Sequence, residues 1–441
     1  MPEAVLPATA RTLLARVART QRDGRAPSLV AGVVRDGGLA WSAGRGAVAE
    51  PHADVQYRLG SISKTVTAVL VMRLRDEGRL SLDDPLERHL PGTPLGGRTI
   101  GQLLSHLAGA SAESPGGWWE RVPGGSLADL ALGEDDVVLG AARRFHYSNL
   151  GFGLLGELVA RQRGTSWDDA VHAEVLAPLG MTRTSPRPSG AAAEGRAVHP
   201  WADAVLPEPE HHAGVMAAAG QLWATLADLG RFAAFLLGDT AEVLDPATLE
   251  EMTEPAGVDS SAAGWSAYGL GLQVMRVDGR RLVGHGGSMP GFLAGVFVDR
   301  DEQTGAVSLA NATAGVEPVV LGLLADLRAA EPRIVDAWTP SPSPVPLESL
   351  GVWFWGVSPS VLRAVGGGRL HLGPLPGRGG RASRFEQRAD GRWVGLDGYY
   401  AGETLRIAED HLDLGTFIFT RTPYDPAAPV PGGVDERGWQ A

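Results

Sequence analysis

Strand-forming patterns stand at both ends of the first 330 residues, and helix-forming patterns fill the stretch between them. Residues 28–46 combine a β-branched run, an Asp-Gly-Gly turn and an alternating segment, which is typical of a β-hairpin. Residues 61–79 are typical of a long apolar helix, and alternating segments return between 268 and 311, before a last helix at about 316–330. Because strands from both ends flank the helices, we predict an α+β domain with a mostly antiparallel sheet.

A proline-rich stretch, TPSPSPVP at residues 339–346, separates this domain from the C-terminal part of the chain. Proline that alternates with small residues forms a semi-rigid, extended linker. Beyond it, apolar and polar residues alternate around an Asp-Gly turn, as in a small β-sheet or barrel. We therefore predict a first domain at 1–337, a linker at 338–346 and a C-terminal β domain at 347–441.

The composition excludes several classes of function and partner. The chain has no cysteine, which rules out disulfides and a thiolate nucleophile. The formal net charge is −12 and the basic residues are scattered, so we expect no nucleic-acid partner. No apolar run approaches the roughly 18 residues of a membrane span, and the N-terminus has no export-signal pattern. We therefore expect no membrane association and a cytoplasmic location.

The lysine at position 64, within YRLGSISKTVTAVL, is the only one in 441 residues. Ser61 precedes it by three positions, so both side chains share one face of the predicted helix. A hydroxyl needs a base to become a nucleophile, and lysine can serve when burial lowers its pKa. Arginine cannot lose its proton, which gives a physical reason to keep lysine here. The alternative interpretation is a serine that caps a helix bearing an exposed lysine.

A second candidate pair lies in FHYSNLGFG, where Tyr147 and Asn149 are two positions apart. In an extended segment such residues point to the same side, so a phenol and an amide would face one cleft. The tyrosine would relay a proton, and the asparagine would hold a substrate carbonyl or the lysine. Alternatively, both residues merely belong to a loop that precedes a helix.

The third candidate is RRLVGHGGSMPGF, where we expect His285 to end a strand. Gly286 and Gly287 would then leave that edge bare, so that a substrate backbone could lie against it. The N–H groups of Ser288 and Ser61 would supply two donors to an oxyanion. The His-x-Gly string occurs elsewhere in the chain, so this choice depends on its place after the helical insert.

Two other patterns do not favour a cofactor. GFGLLG at 151–156 matches Gly-x-Gly-x-x-Gly but follows a loop rather than a strand, which argues against dinucleotide binding. His211-His212 lacks the spacing of metal ligands. We therefore expect no cofactor and no metal.

In this order, the three motifs resemble those of the serine β-lactamase and penicillin-binding-protein superfamily. LLSHLAGA, YSNLGFGLLGELV and HHAGVMAAAGQLWATLADLGRFAAFL add to the resemblance. They indicate the branch with a tyrosine in its second motif, which includes class C β-lactamases, esterases, D-aminopeptidases and peptidyl thioesterases. The resemblance implies a β-lactamase/transpeptidase-like fold over about residues 8–335, with an antiparallel sheet, helices on both sides and a helical insert.

The resemblance also implies roles for the motif residues. Ser61 would be the acylated nucleophile, Lys64 its base, Tyr147 a proton relay and Asn149 a positioning amide, with His285 opening the third motif. β-Lactamases of this branch usually have lysine there, a fixed cation that attracts the β-lactam carboxylate. Histidine is mostly neutral at pH 7 and is similar to the esterase, aminopeptidase and thioesterase members. We therefore expect weak β-lactamase activity at most.

The leading functional hypothesis is a penicillin-binding-protein-type peptidyl thioesterase or cyclase that releases a peptide natural product from acyl-Ser61. The alternatives are a carboxylesterase or a D-aminopeptidase and, outside the enzymes, an acylable sensor or an inactive scaffold. The expected partners are a small-molecule or peptidyl acyl substrate and, for a thioester, a carrier protein that presents it.

The C-terminal domain resembles the lipocalin-like module of related thioesterases. It would roof the cleft and decide whether water or an amine receives the acyl group. Its tail either reaches the site through Arg437 or, as the simpler alternative, lies on the surface.

Overall fold

The computed structural model describes residues 4–429, apart from 261–265, 317–318, 336, 416, 424, 426 and 428. Arg437 and the role considered for it therefore lie outside the described residues. The chain divides into two compact units, Met1–Arg333 and Ile334–Ala441.

The first unit contains a large antiparallel sheet and some further strands outside it. Its strands are β1 (Ser28–Arg35), β2 (Gly38–Gly46), β3 (Gln56–Arg58), β4 (Arg196–Val198), β5 (Val205–Pro207), β6 (Trp223–Thr225), β7 (Gly257–Asp259), β8 (Ser266–Tyr268), β9 (Gln273–Val277), β10 (Arg280–Met289), β11 (Phe292–Asp299) and β12 (Thr304–Ala310). Eight of them form one sheet in the order β2-β1-β12-β11-β10-β9-β8-β7, and every neighbouring pair is antiparallel. Strands from the two ends of the unit meet where β1 pairs with β12, which confirms the predicted α+β architecture.

Helices cover both faces of this sheet. They are α1 (Pro7–Asp23), α2 (Ile62–Asp76), α3 (Ile100–Leu104), α4 (Asn149–Arg163), α5 (Trp167–Val171), α6 (Ala217–Gly220), α7 (Leu226–Leu237), α8 (Pro246–Thr253) and α9 (Val319–Ala330). On β1, Leu29 and Val33 belong to the core shared with α1 and α9, whereas Val30 and Val34 belong to the core that contains α2, α4 and α7. Because both faces of β1 are covered, the strand is a continuous apolar run rather than an alternating one.

The Gly-x-Gly-x-x-Gly string lies inside helix α4, where its glycines have a packing role. A Cβ atom on Gly153 would lie 2.8 Å from Sδ of Met216, and one on Gly156 would overlap the Cβ of Ala218. The glycines therefore let α4 lie close to α6 and to the turn that precedes it. This close approach brings α6 against the active-site helix α2.

The second unit is a closed antiparallel barrel. Its strands are β13 (Gly351–Trp355), β14 (Ser358–Val365), β15 (Arg369–Pro374), β16 (Ser383–Gln387), β17 (Trp393–Gly395), β18 (Thr404–Ile407), β19 (His411–Leu414) and β20 (Phe417–Thr420). Trp353, Leu362, Leu370 and Phe385 are fully buried and belong to the barrel's apolar core. The predicted C-terminal β-barrel is confirmed. Among the described residues, every helix is too short or too polar to cross a bilayer.

Candidate active site

Ser61 stands at the N-terminus of α2, directly after a glycine in the left-handed region. Gly60 has φ 54°, and a Cβ atom there would lie 2.5 Å from the backbone nitrogen of Ser288. Only glycine combines that backbone angle with such a close approach. The turn therefore presses the start of α2 against β10 and places Ser61, which is half-buried, at their junction.

Lys64 lies one turn further along α2 and is fully buried. Its Nζ lies 2.9 Å from Oγ of Ser61 and donates to the carbonyl oxygen of Ala219 at 2.8 Å. Burial lowers the pKa of Lys64 to about 7, although the negative charges of Glu113 and Glu120 oppose that shift. An amine with such a pKa can exist in its neutral form near pH 7 and accept the serine proton.

Tyr147 also contacts the serine. Its hydroxyl is hydrogen-bonded to the Ser61 side chain, and its ring centroid lies 4.9 Å from Nζ of Lys64. Burial raises the pKa of Tyr147 well above its ordinary value, so the phenol keeps its proton at neutral pH. A protonated hydroxyl beside Oγ is placed to pass a proton between the nucleophile and a leaving group.

Asn149, the first residue of α4, does not bond the lysine. Its Nδ2 donates to both carboxylate oxygens of Glu113, at 2.8 and 2.9 Å, and the indole N–H of Trp119 donates to the same carboxylate at 2.6 Å. The asparagine thus holds an acid whose negative charge acts on both Lys64 and Tyr147. The sequence did not indicate this contact, because Glu113 is an isolated acidic residue in a Gly- and Pro-rich loop.

His285 lies inside a strand, so the prediction that it ends one is wrong. Strand β10 continues to Met289, and it pairs with β11 through Gly286 and Gly287. The Nδ1 of His285 donates to the carbonyl oxygen of Gly286, and Nε2 accepts from the Tyr268 hydroxyl at 3.0 Å. Burial and the nearby Lys64 lower the pKa of His285 to about 3. The imidazole is therefore neutral at physiological pH.

The edge of β10 next to the serine is partly occupied rather than bare. Pairing with β9 stops at Gly284, and the N–H of Gly286 donates to Oε1 of Gln273 at 3.2 Å. A Cβ atom on Gly287 would overlap the carbonyl oxygen of Leu59. Gly286 is therefore already hydrogen-bonded, and Gly287 is needed for close packing of the α2 entry turn. Ser288 is the predicted edge residue whose backbone lies against Gly60, the residue before the nucleophile.

The structure brings the two predicted oxyanion donors to one junction. Gly60, which precedes Ser61, lies against the backbone of Ser288, and a Cβ atom on Gly287 would lie 3.4 Å from the backbone nitrogen of Ser61. Two backbone N–H groups at such a junction can stabilise the negative oxygen of a tetrahedral intermediate.

Sequence reasoning missed an aromatic cluster around Tyr147. The ring of His106 lies 4.3 Å from that of Tyr147 and 4.5 Å from that of Tyr268, measured between centroids. Its Nδ1 accepts from the backbone N–H of Ser148, the residue that caps α4. His106, within the LLSHLAGA segment, therefore fixes the backbone on which Tyr147 stands. Among the described residues, no group of three or more His, Asp or Glu side chains is placed to hold a metal ion.

Comparison with known proteins gives two family matches. The model of the family described as Beta-lactamase matches residues 13–331, and that of a domain of unknown function, DUF7586, matches residues 342–421. Beta-lactamase-like protein 2 of Dictyostelium discoideum is 27% identical over 54% of this chain, which spans only 47% of that relative's length. Penicillin-binding protein 4 of Amycolatopsis lactamdurans is 28% identical over 69% of this chain and 85% of its own.

Solved structures show the same fold. The octameric penicillin-binding protein homologue from Pyrococcus abyssi is 20% identical, with a TM-score of 0.66 over 93% of this chain and 99% of that chain. A D-stereospecific amidohydrolase from Streptomyces sp. is 25% identical, with a TM-score of 0.60 over 74% of this chain and 99% of its own.

Proposed function

Because the chain belongs to the beta-lactamase family of serine hydrolases, we propose that it cleaves amides or esters of D-amino acids that carry a free ammonium group. The observation that carries this proposal is the Glu113 carboxylate, which Asn149 and Trp119 hold by hydrogen bonds and whose negative charge acts on Lys64 and Tyr147. The likeness to the Streptomyces D-stereospecific amidohydrolase supports the D configuration.

The first half of the reaction forms an ester on Ser61. Nζ of Lys64 takes the hydroxyl proton as Oγ attacks the substrate carbonyl, and the N–H groups of Ser61 and Ser288 stabilise the oxyanion. The tetrahedral intermediate collapses as the bond to the leaving group breaks, and the Tyr147 hydroxyl delivers a proton to that group and regains one from the Lys64 ammonium. Water, or an amine, then gives a proton to Lys64 as it attacks the acyl-Ser61 carbonyl, and that proton returns to Oγ as the bond to Ser61 breaks.

Charge at the site separates substrate classes. Glu113 and Glu120 carry the negative charges that act on Lys64 and Tyr147. His285 is neutral, so it supplies no fixed cation for a β-lactam carboxylate. An ammonium group on the acyl part would be attracted, whereas a carboxylate would be repelled. Weak β-lactam hydrolysis follows from the same charges.

Release of a peptidyl thioester is the second candidate. The carboxylate that would bind a substrate ammonium would also receive the amine of an acceptor, and attack by a peptide's own N-terminal amine gives a cyclic product. This version requires a carrier protein that presents the thioester. It also places the reaction in the cytoplasm, where such carriers work.

Matched substrates and variants test the role of Glu113. We compare kcat/KM for D-alanine p-nitroanilide, its L isomer and the N-acetylated D compound, in wild type, Glu113→Gln and Glu120→Gln. We expect Glu113→Gln to lose about 10- to 100-fold on the free amine and little on the N-acetyl compound, because the variant removes a charged hydrogen bond. Equal losses on both compounds, or a larger loss in Glu120→Gln, would contradict the assignment.

A covalent adduct on the protein and the mass of the reaction product together separate the remaining alternatives. A fluorophosphonate should add to wild type and not to Ser61→Ala, and no adduct on wild type would favour the sensor or scaffold. With a D-terminated peptidyl N-acetylcysteamine thioester, a linear acid indicates hydrolysis, and a product lighter by one water indicates cyclisation. Turnover of simple nitrophenyl esters alone would favour a carboxylesterase and exclude both proposals.

A further inference from the structure

The single turn α6 ends in two carbonyl groups that are satisfied by side chains of α2. Nζ of Lys64 donates to the carbonyl oxygen of Ala219 at 2.8 Å, and Oγ1 of Thr67 donates to that of Ala218 at 2.9 Å. Lys64 and Thr67 stand three positions apart, so they lie on the same face of α2. The base of the candidate active site therefore shares its anchor with a neighbouring threonine.

Thr67 is fixed from three directions. Its Oγ1 also lies 3.0 Å from the carbonyl oxygen of Ser63, and it accepts from the indole N–H of Trp167 at 3.1 Å. The side chain of Thr67 is fully buried, and Trp167 is 7% exposed. These three polar contacts leave the Thr67 hydroxyl little freedom to reorient.

The carbonyl of Ala219 matters because of how a neutral amine is oriented. Neutral lysine has two N–H bonds and one lone pair, and the lone pair must point at the serine hydroxyl for proton transfer. An N–H bond held by Ala219 restricts rotation of Nζ and leaves the lone pair free for Ser61. Contacts that fix the carbonyl groups of α6 therefore also fix the direction of the Lys64 lone pair.

We propose that Thr67, oriented by Trp167, is a positioning residue for Lys64, and that it acts through the carbonyl groups of α6. The inference rests on Lys64 being the base, as in the proposed function, but not on the identity of the acyl substrate. Thr67 touches no reacting atom; it holds the backbone turn that touches the lysine.

Threonine variants at two neighbouring positions provide the test. Thr67→Val keeps the shape and removes the hydroxyl, whereas Thr67→Ser restores it. Thr65→Val is the matched control, because Thr65 is equally buried on α2 but donates to the carbonyl oxygen of Gly271. The readout is the rate at which a fluorophosphonate phosphonylates Ser61 and releases fluoride across the pH range, and this rate does not depend on the natural substrate.

We expect the plateau rate of Thr67→Val to fall about 10- to 100-fold, as a misplaced catalytic group does, with Thr67→Ser near wild type and Thr65→Val within about threefold. The apparent pKa of the base should move below that of wild type, because the ammonium form loses a charge-assisted bond to Ala219. Simple loosening that admits water would instead raise that pKa.

A raised or unchanged pKa in Thr67→Val, or an equal loss of rate in Thr65→Val, overturns the proposal. If Thr67→Val does not fold, Trp167→Phe removes only the N–H that orients the threonine. It should then lower the plateau rate in the same direction by a smaller factor, and wild-type behaviour in that variant would also refute the proposal. The role of Lys64 itself is tested separately, since a near-wild-type rate in Lys64→Arg would refute the proposed base.

Discussion

The two units of the molecule bury different kinds of side chain. The first unit buries many polar side chains, and these include a group close to the candidate active site: Ser63, Lys64, Thr67, His106, Asn149 and His285. In the described part of the barrel, Ser383 is the one buried polar side chain, and its hydroxyl accepts from the backbone N–H of Tyr400 at 2.8 Å. The barrel's interior is otherwise made of aliphatic and aromatic residues.

This difference separates groups that perform chemistry from groups that stabilise a fold. A buried lysine without an ion pair among the described residues lowers stability, because burial disfavours its charged form. Such an arrangement is useful only where the neutral amine is needed. The barrel core pays no comparable penalty, so its side chains serve packing.

The largest expected effect comes from replacing the buried lysine by the cation that cannot lose its proton. Lys64→Arg keeps a positive charge beside Ser61, and we expect phosphonylation of Ser61 by a fluorophosphonate to slow by about 10⁴-fold or more. Lys64→Met should be equally inactive yet unfold at a higher temperature than wild type, since it removes the buried charge. Activity of Lys64→Arg within tenfold of wild type would show that another group is the base.

The reverse effect, a loss of stability with the chemistry at Ser61 unchanged, is expected in the barrel. Trp353 is fully buried on β13, so Trp353→Ala should destabilise the barrel by about 3–5 kcal/mol. Trp355, on the same strand, is 46% exposed, so Trp355→Ala is the matched control and should cost less than about 1 kcal/mol. Calorimetry measures both variants.

The rate of Ser61 acylation in these variants tests the predicted influence of the barrel on the reaction. If the barrel has no role in the reaction, Ser61 of Trp353→Ala should be acylated at the wild-type rate. The measurement is made at a temperature where the first unit stays folded. A parallel loss of acylation, or a changed ratio of hydrolysis to transfer onto an added amine, would support a role of the barrel in the reaction at Ser61.

Much of the fold could be predicted because its signals are local. The hairpin of β1 and β2 follows from a β-branched run and a turn, and Asp36 and Gly37 both have the positive φ that such turns require. The pairing of Ser61 with Lys64 follows from helix geometry alone. Each of these inferences needs only a few neighbouring residues.

Contacts between distant segments could not be predicted in the same way. The carboxylate of Glu113 meets Asn149 across 36 positions, and the partner of Lys64 is a backbone oxygen 155 positions away that any residue type could supply. The full extent of β10 is not evident from the sequence, because glycine has low strand propensity. Pairing with β11 and the close approach of Leu59 outweigh that propensity at Gly287.

The smallest expected effect concerns His285, and it distinguishes a buried group that titrates from one that does not. With its pKa near 7, Lys64 loses its capacity to accept a proton as pH falls, so acylation should drop about tenfold per unit below that value. The pKa of His285 is about 3, so the imidazole stays neutral through this range. It should therefore add no second titration step to the dependence of the acylation rate on pH. His285→Gln should therefore keep the same profile, because an amide can still bond Tyr268. A limb near pH 6 that disappears in this variant would mean that His285 carries charge during turnover, and the discrimination against β-lactam carboxylates would then need another cause.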